Sequence, residues 1–232
     1  MTPEQKGSLP LQMEKLFYDL QDRIYADVVR RVKKTGEITS TADYQINKLL
    51  ILGNSTEFIE LKQLSQKSDQ ELWELYDKVS NWEYVRYKDA YQQINGHFVP
   101  LQDNQQIRQW SDAVIEQTKG DIKNITQSLG FTVDMGGGKK AFTPLSHYYQ
   151  KYLDRACMDI VTGAFDYNTV LRRVVKEMTA SGLKYVDYAS GYTCRAPVAV
   201  RRAIMTGVSQ LTAQINEQVA KDLGADTYEV TW

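Results

Sequence analysis

Two stretches of this chain place apolar residues three and four positions apart over several helical turns. Met13, Leu16, Phe17, Leu20, Ile24, Val28 and Val32 form one; Val200, Ile204, Val208, Leu211, Ile215 and Val219 form the other. That spacing lines one face of an α-helix, and an apolar face of that length must be buried against other elements. A chain of 232 residues organised around two such seams is expected to be mainly α. The first seam also carries its own stop. Arg30, Arg31, Lys33 and Lys34 crowd the last turn, where cations offset the carbonyl end of the helix dipole, and Gly36 follows as a cap.

Further helices follow from the same signals. Ser40 or Thr41 can cap a helix through Tyr44, Ile46, Leu49 and Leu50 that stops at Gly53. Phe58, Leu61 and Leu64 suit a short helix. Ser68 and Glu71 have capping-box spacing ahead of Leu72, Leu75, Tyr76 and Val79, which predicts a fresh start there. Trp82 to Tyr91 is another short helix, Asn95 to Asp103 a loop, and Asn104 to Thr126 a helix with a break or kink at Gly120.

Gly130 to Pro144 holds three consecutive glycines and no helical period, so it reads as a flexible connection. Beyond it come helices over Leu145–Val161 and from Asp166 to Ser181. Lys184–Arg195 then reads as a β-hairpin around Ala-Ser-Gly, and Pro197 opens the second seam. Thr227 to Trp232 alternates like a strand that would pair with that hairpin. The predicted fold class is mainly α: a multi-helix N-terminal region and a helical C-terminal region with a small β-sheet from hairpin 184–195 and strand 226–232. The expected domains are a helical domain over 1–130, a Gly-rich linker over 131–144, and an α+β domain over 145–232.

Composition excludes several functions. Lys plus Arg number 28 and Asp plus Glu 29, a formal charge of −1, without the basic excess of a dedicated nucleic-acid binder. The charge is uneven, however: net +6 over 139–202, against −4 before and −3 after. That basic third could face an acidic partner or simply decorate solvated helix faces. No apolar run approaches the ~20 residues that span a bilayer, and no secretory signal pattern opens the chain. Two cysteines, Cys157 and Cys194, are too few for a disulfide scaffold or a four-cysteine zinc site and fit a reducing compartment. The expectation is a soluble intracellular protein.

No catalytic constellation assembles. Gly136-Gly-Gly-Lys139-Lys140 suggests a phosphate loop, but position 133 is Val where the motif needs Gly, and position 140 is Lys where it needs Ser or Thr. His97 and His147 have no metal-ligand spacing. Asp154, Asp159 and Asp166 lie along helix faces where acids are ordinarily solvated. Cys157 falls among Leu153, Ile160 and Val161, about three turns from His147, and reads as a buried small residue rather than a nucleophile. No cofactor and no metal are expected, and no enzymatic activity.

Aromatic residues carry the remaining signal: fifteen tyrosines and four tryptophans. Such rings can be buried while their polar tips stay wet, which suits protein interfaces, although helix–helix packing would use them equally well. Phe17, Tyr18, Tyr25, Trp82, Tyr84, Tyr87 and Tyr91 are the candidate protein-interface residues. Lys139, Lys140, Arg172, Arg173, Arg201 and Arg202 are the candidate DNA-facing basic residues.

Both ends of the chain also resemble a known family. Met1-Thr-Pro-Glu-Gln5, Leu16-Phe-Tyr-Asp-Leu20, Ile24, Arg30-Arg-Val32 and Lys34-Thr-Gly-Glu-Ile-Thr39 look like the opening of the minor capsid proteins of phages that infect Gram-positive bacteria. Gly182-Leu-Lys-Tyr-Val-Asp-Tyr-Ala-Ser-Gly191, Pro197–Gly207 and Gly224-Ala-Asp-Thr-Tyr-Glu-Val-Thr-Trp232 are similar to that family's C-terminal region. Residues 55–140 match no motif of it. The resemblance implies a virion component of the head-morphogenesis group, akin to the F-like proteins of phage Mu. It implies association with the portal and major capsid proteins, several copies in a ring, non-specific contact with packaged DNA and no membrane partner. The implied place is the portal vertex of the head, and the host cytoplasm during assembly. Family members usually continue past the terminal strand, which leaves three readings of the chain: a truncated piece, a processed product, or the ordered portion of a longer protein. The alternative is a fragment of a phage-encoded enzyme or toxin whose catalytic part lies beyond residue 232.

Overall fold

A hydroxyl and an amide begin the structure. Gln5 N donates to Thr2 Oγ1 at 3.2 Å while Thr2 N donates to Gln5 Oε1 at 2.8 Å, a reciprocal capping box that opens α1 (Pro3–Ser8) with Pro at its first turn. The computed structural model describes residues 1–38, 43, 56–94 and 96–225, with the backbone alone for 56–59. The expected helix over 40–53 and strand over 226–232 lie outside the described residues. The fold is mainly α with one small antiparallel sheet.

The elements that follow are α2 (Leu11–Gly36), α3 (Thr56–Tyr84), a 3-10 turn over Val85–Tyr87, α4 (Lys88–Gln93) and α5 (Gln105–Gln127). Strands β1 (Leu129–Asp134) and β2 (Lys140–Pro144) come next, then a helical stretch of α6 (Leu145–His147), a π-helical turn (Tyr148–Leu153) and α7 (Asp154–Val161). α8 (Tyr167–Ser181), β3 (Lys184–Val186), β4 (Thr193–Arg195) and α9 (Ala196–Asp222) complete the order. Several boundaries were legible: Asp166 caps α8 by accepting from Thr169 N at 3.0 Å, and Gly182 and Gly224 close α8 and α9 at φ 66° and 64°.

Two helix starts and stops are corrected. The chain from Thr56 to Tyr84 is one helix, because no Gly or Pro precedes Ser68 to end the turn before it, and Ser68 is buried within the helix rather than capping it. Gly120 does not interrupt α5 either. It is exposed, and one exposed glycine costs only about 1 kcal/mol relative to alanine.

The larger correction concerns 131–144, expected as a linker. This segment is mostly an antiparallel β-hairpin, with Gly130 opposite Pro144 and Asp134 opposite Lys140. Leu129, Phe131 and Val133 alternate into the core, and the three glycines make the turn, all at positive φ. The sheet order is β2-β1-β3-β4. The expected hairpin over 184–195 is present, and β1 is its partner through Leu129↔Tyr185 and Gly130↔Lys184. Gly130 is required where it stands, since a side chain there would strike the Thr143 carbonyl.

The described residues fall into two compact units. The first draws on Met1–Glu14, Lys67–Lys123 and the chain from Val200. Its core gathers Leu72, Tyr76, Ile107, Ile115, Ile204 and Leu211, all buried. Tyr76 Oη lies 2.8 Å from Thr118 Oγ1, whose own proton goes to Val114 O at 2.9 Å, so the tyrosine is the donor. Burial pushes the Tyr76 phenol up to about 12. The second unit draws on Lys15–Gln66 and Asn124–Ala199. It buries Phe17, Leu20, Ile24, Val28 and Val32 with Phe131, Val174 and Met178. Tyr25 donates to Met178 O at 2.9 Å, and Leu183 N donates to Gln21 Oε1 at 2.9 Å, which pins α2 to the strand that follows α8.

Candidate interaction surfaces

The groups considered for chemistry take structural posts. Asp159 pairs with Arg173 at 2.8 Å, Asp166 caps α8, and among the described residues no group of three or more His, Cys, Asp or Glu is placed to hold a metal ion. Cys157 is buried, and burial pushes its thiol up, which suppresses the thiolate a nucleophile needs. The Gly136–Gly138 run turns a hairpin: Met135 N donates to Lys139 O at 2.8 Å and Gly136 N to Asp134 Oδ1 at 2.8 Å. The run joins one strand to another rather than a strand to a helix, so the geometry of a phosphate loop is missing.

Three of the seven aromatic interface candidates, Phe17, Tyr84 and Tyr91, are buried, and Tyr25, Trp82 and Tyr87 are half-buried. Phe17 is fully buried in the second unit, and Tyr25 is tied to Met178 and packs 6.0 Å from the Phe131 ring. In the first unit Tyr84 donates to Val99 O at 2.9 Å and stacks on Phe98, centroids 4.9 Å apart. Tyr91 is buried and donates to Asp222 Oδ2 at 2.7 Å, while Tyr87 donates to Asn216 Oδ1 at 3.1 Å. These three hydroxyls end their search inside the protein. Their helical spacing sets them against α9 and the 96–104 loop. Trp82 is half-buried, and of the seven candidates Tyr18 alone is exposed.

The basic candidates divide as well. Lys139, Lys140 and Arg172 are exposed in the second unit, where Arg173 is held by Asp159. Arg201 and Arg202 are exposed in the first unit, and Arg201 pairs with Glu14 at 2.8 Å. Arg173 and Arg201 therefore already have carboxylate partners.

Two surfaces that were not anticipated stand out. The first is the β3–β4 turn, which displays Tyr188 at 67% and Tyr192 at 52% exposure. Its backbone is tied down by Asp187: N donates to Tyr192 O at 2.9 Å, Oδ1 accepts from Ala189 N at 3.0 Å, Oδ2 accepts from Ser190 Oγ at 2.6 Å, and O accepts from Gly191 N at 2.7 Å. The bonds from Ser190 and Ala189 hold the Asp187 carboxyl below its ordinary range. Two rings on a turn already ordered can be bound without a further ordering cost. In sequence the turn is Asp-Tyr-Ala-Ser-Gly-Tyr, a pattern that signals a hairpin but not the exposure of its two tyrosines.

The second surface is a groove of about 1270 Å³ in the first unit, between α3, α5 and the 96–102 loop. Ile107 and Ile115 form its floor, Trp73 and Phe98 its aromatic wall, and Glu74, Asp77 and Asp112 part of its rim. Trp73 is 48% exposed beside the buried Leu72, and a tryptophan one position off the apolar seam is the sequence signal that could have marked it.

No helix among the described residues is long and apolar enough to cross a membrane. No curated protein and no solved structure matches the chain. A family model does: that of phage minor capsid protein 2, over residues 1–232. A match along the whole length makes this chain a member of the phage minor capsid protein 2 family.

Proposed function

We propose that this chain is a structural, non-catalytic component of the phage head that binds the portal protein and the major capsid protein and assists head assembly or DNA packaging and ejection. A structural virion role follows from the family. The portal vertex as its place, and those two proteins as its partners, are our reading. The observation that carries it is the β3–β4 turn, where two exposed tyrosines ride on a backbone locked by four hydrogen bonds to Asp187. Tyrosines of that kind are the anchors on which protein interfaces concentrate their binding energy.

The test is co-sedimentation of the purified chain with portal rings and, separately, with major capsid protein. A Tyr188→Ser/Tyr192→Ser chain should keep its circular dichroism and lose binding by roughly tenfold or more. Unchanged affinity of that variant for both partners, or no binding by the wild-type chain, would overturn the reading.

A further inference from the structure

The geometry points to a contact between copies of this chain: we propose that the tip of the β1–β2 hairpin of one copy docks into the α3–α5 groove of the next. The inference concerns this chain alone and stands apart from the portal reading.

The hairpin tip is an exposed, ordered projection. Every residue from Asp134 to Ala141 is exposed, and Met135 at 66% is among the most exposed large apolar side chains of the protein. Met135 and Lys139 lie directly opposite, joined by the bond from Met135 N to Lys139 O, with Lys139 N donating to Gly136 O at 3.2 Å across the turn. An unbranched thioether is thus presented beside two adjacent lysines. Methionine is the residue best suited to fill an irregular apolar recess, and its sulfur contacts aromatic rings favourably.

The groove is complementary in chemistry and charge. Its volume of about 1270 Å³ exceeds the ~300–1,000 Å³ of small-molecule sites, so a peptide segment fits it better than a metabolite. Trp73, half exposed on the groove lining with Lys119 Nζ 5.8 Å from its ring centroid, offers a ring for the Met135 sulfur to contact. Three carboxylates belong to the same lining. Glu74 and Asp77 are one turn apart on α3, and Asp112 faces them across the Ser80–Ser111 hydroxyl pair. They suit Lys139 and Lys140. Lys88 and Arg108, also on the lining, suit Asp134 on the hairpin's other arm. A tip bearing one acid and two bases meets a groove bearing three acids and two bases.

Donor and acceptor surfaces differ, so the contact is head-to-tail. Repeated, it produces a ring if its rotation closes and an open filament if it does not.

The test is multi-angle light scattering of the full chain over a range of concentrations at low and high salt. The wild-type chain should grow beyond a dimer as concentration rises, and high salt should weaken that growth. Lys139→Glu/Lys140→Glu and Asp77→Lys/Asp112→Lys change only exposed positions, so both should fold, as circular dichroism would show. Each should weaken self-association by about tenfold or more through like-charge juxtaposition. A chain carrying all four changes restores the opposite charges and should assemble again, a recovery that mere loss of folding would not give. A wild-type chain that stays monomeric would overturn the proposal. So would reversals that leave assembly intact, or a four-change chain that fails to recover.

Discussion

Replacing Gly207 with alanine tests how the first unit is packed. Gly207 is a buried residue of α9, and a Cβ there would overlap Tyr76 Oη and sit 2.9 Å from both Thr118 Oγ1 and Val114 Cγ1. Overpacking of this kind costs ~1–3 kcal/mol. Tyr76 has no room to retreat except by giving up its 2.8 Å bond to Thr118. A buried hydroxyl left unpaired costs a further ~1–3 kcal/mol. Against these, alanine is favoured over glycine in a helix by ~0.8–1 kcal/mol. The net is a loss of about 3 kcal/mol, or roughly 6–12 °C in Tm for a chain of this size. The origin can be isolated by a double-mutant cycle in urea. Tyr76→Phe alone should cost about 1 kcal/mol, because Thr118 still donates to Val114 O. In that background Gly207→Ala should cost little, giving a favourable coupling of about 2 kcal/mol. If Gly207→Ala were neutral or stabilising, or if the two changes simply added, the close crossing of α9 over Tyr76 would be refuted.

Three other substitutions separate the remaining arguments. Gly120→Ala, at an exposed site of α5 with nothing within 4 Å of the new Cβ, should stabilise by about 0.5–1 kcal/mol in the same urea assay. Gly130→Ala would drive a Cβ into the Thr143 carbonyl oxygen and the Phe142 ring. A backbone atom in a paired strand cannot yield as a side chain can, so the cost should reach at least ~3 kcal/mol. Asp27→Asn removes the carboxylate that Arg31 Nε binds at 2.8 Å in a buried pair, and since Arg31 keeps other contacts, among them the Tyr149 ring, the lost charged hydrogen bond should cost ~1.5–3 kcal/mol. The same pair predicts a pH effect. Burial pushes the Asp27 carboxyl up, but hydrogen bonds from Arg30 and Arg31 and their charges outweigh it, and the group lies below its ordinary value in the fold. Its contribution is therefore complete above the unfolded carboxylate range near ~3.9 and is lost as pH falls through the depressed folded value. Acid should accordingly narrow the stability gap between wild type and Asp27→Asn; a gap constant with pH would refute the assignment.

Local periodicity carried much of the fold. Met13, Phe17, Leu20, Ile24, Val28 and Val32 are all buried, as are Val200, Ile204, Val208, Leu211, Ile215 and Val219. What local signals could not settle was competition among them. Ser68 and Glu71 spell a helix start, but a start needs an end before it, and the residues from Leu61 to Lys67 provide none. The three glycines at 136–138 spell flexibility when read alone. Read with the alternation of Leu129, Phe131 and Val133, they are a hairpin turn, because a turn at positive φ has the same composition as a linker. The exposure of aromatic residues was the least legible. The spacing of Tyr84, Tyr87 and Tyr91 does not reveal that their hydroxyls bond Val99, Asn216 and Asp222, the last two far away in sequence. Tyr188 and Tyr192 are exposed because a six-residue turn has no interior to hide them, which becomes evident only once β3 and β4 are paired.

The central claim is that this protein is a built-in part of the particle, and particles can be asked directly. Quantitative mass spectrometry of purified, DNA-filled heads should find the chain in a fixed ratio to the portal protein, retained through a density gradient and a high-salt wash. Heads that are infectious and contain none of it, while infected cells make it in quantity, would contradict the account.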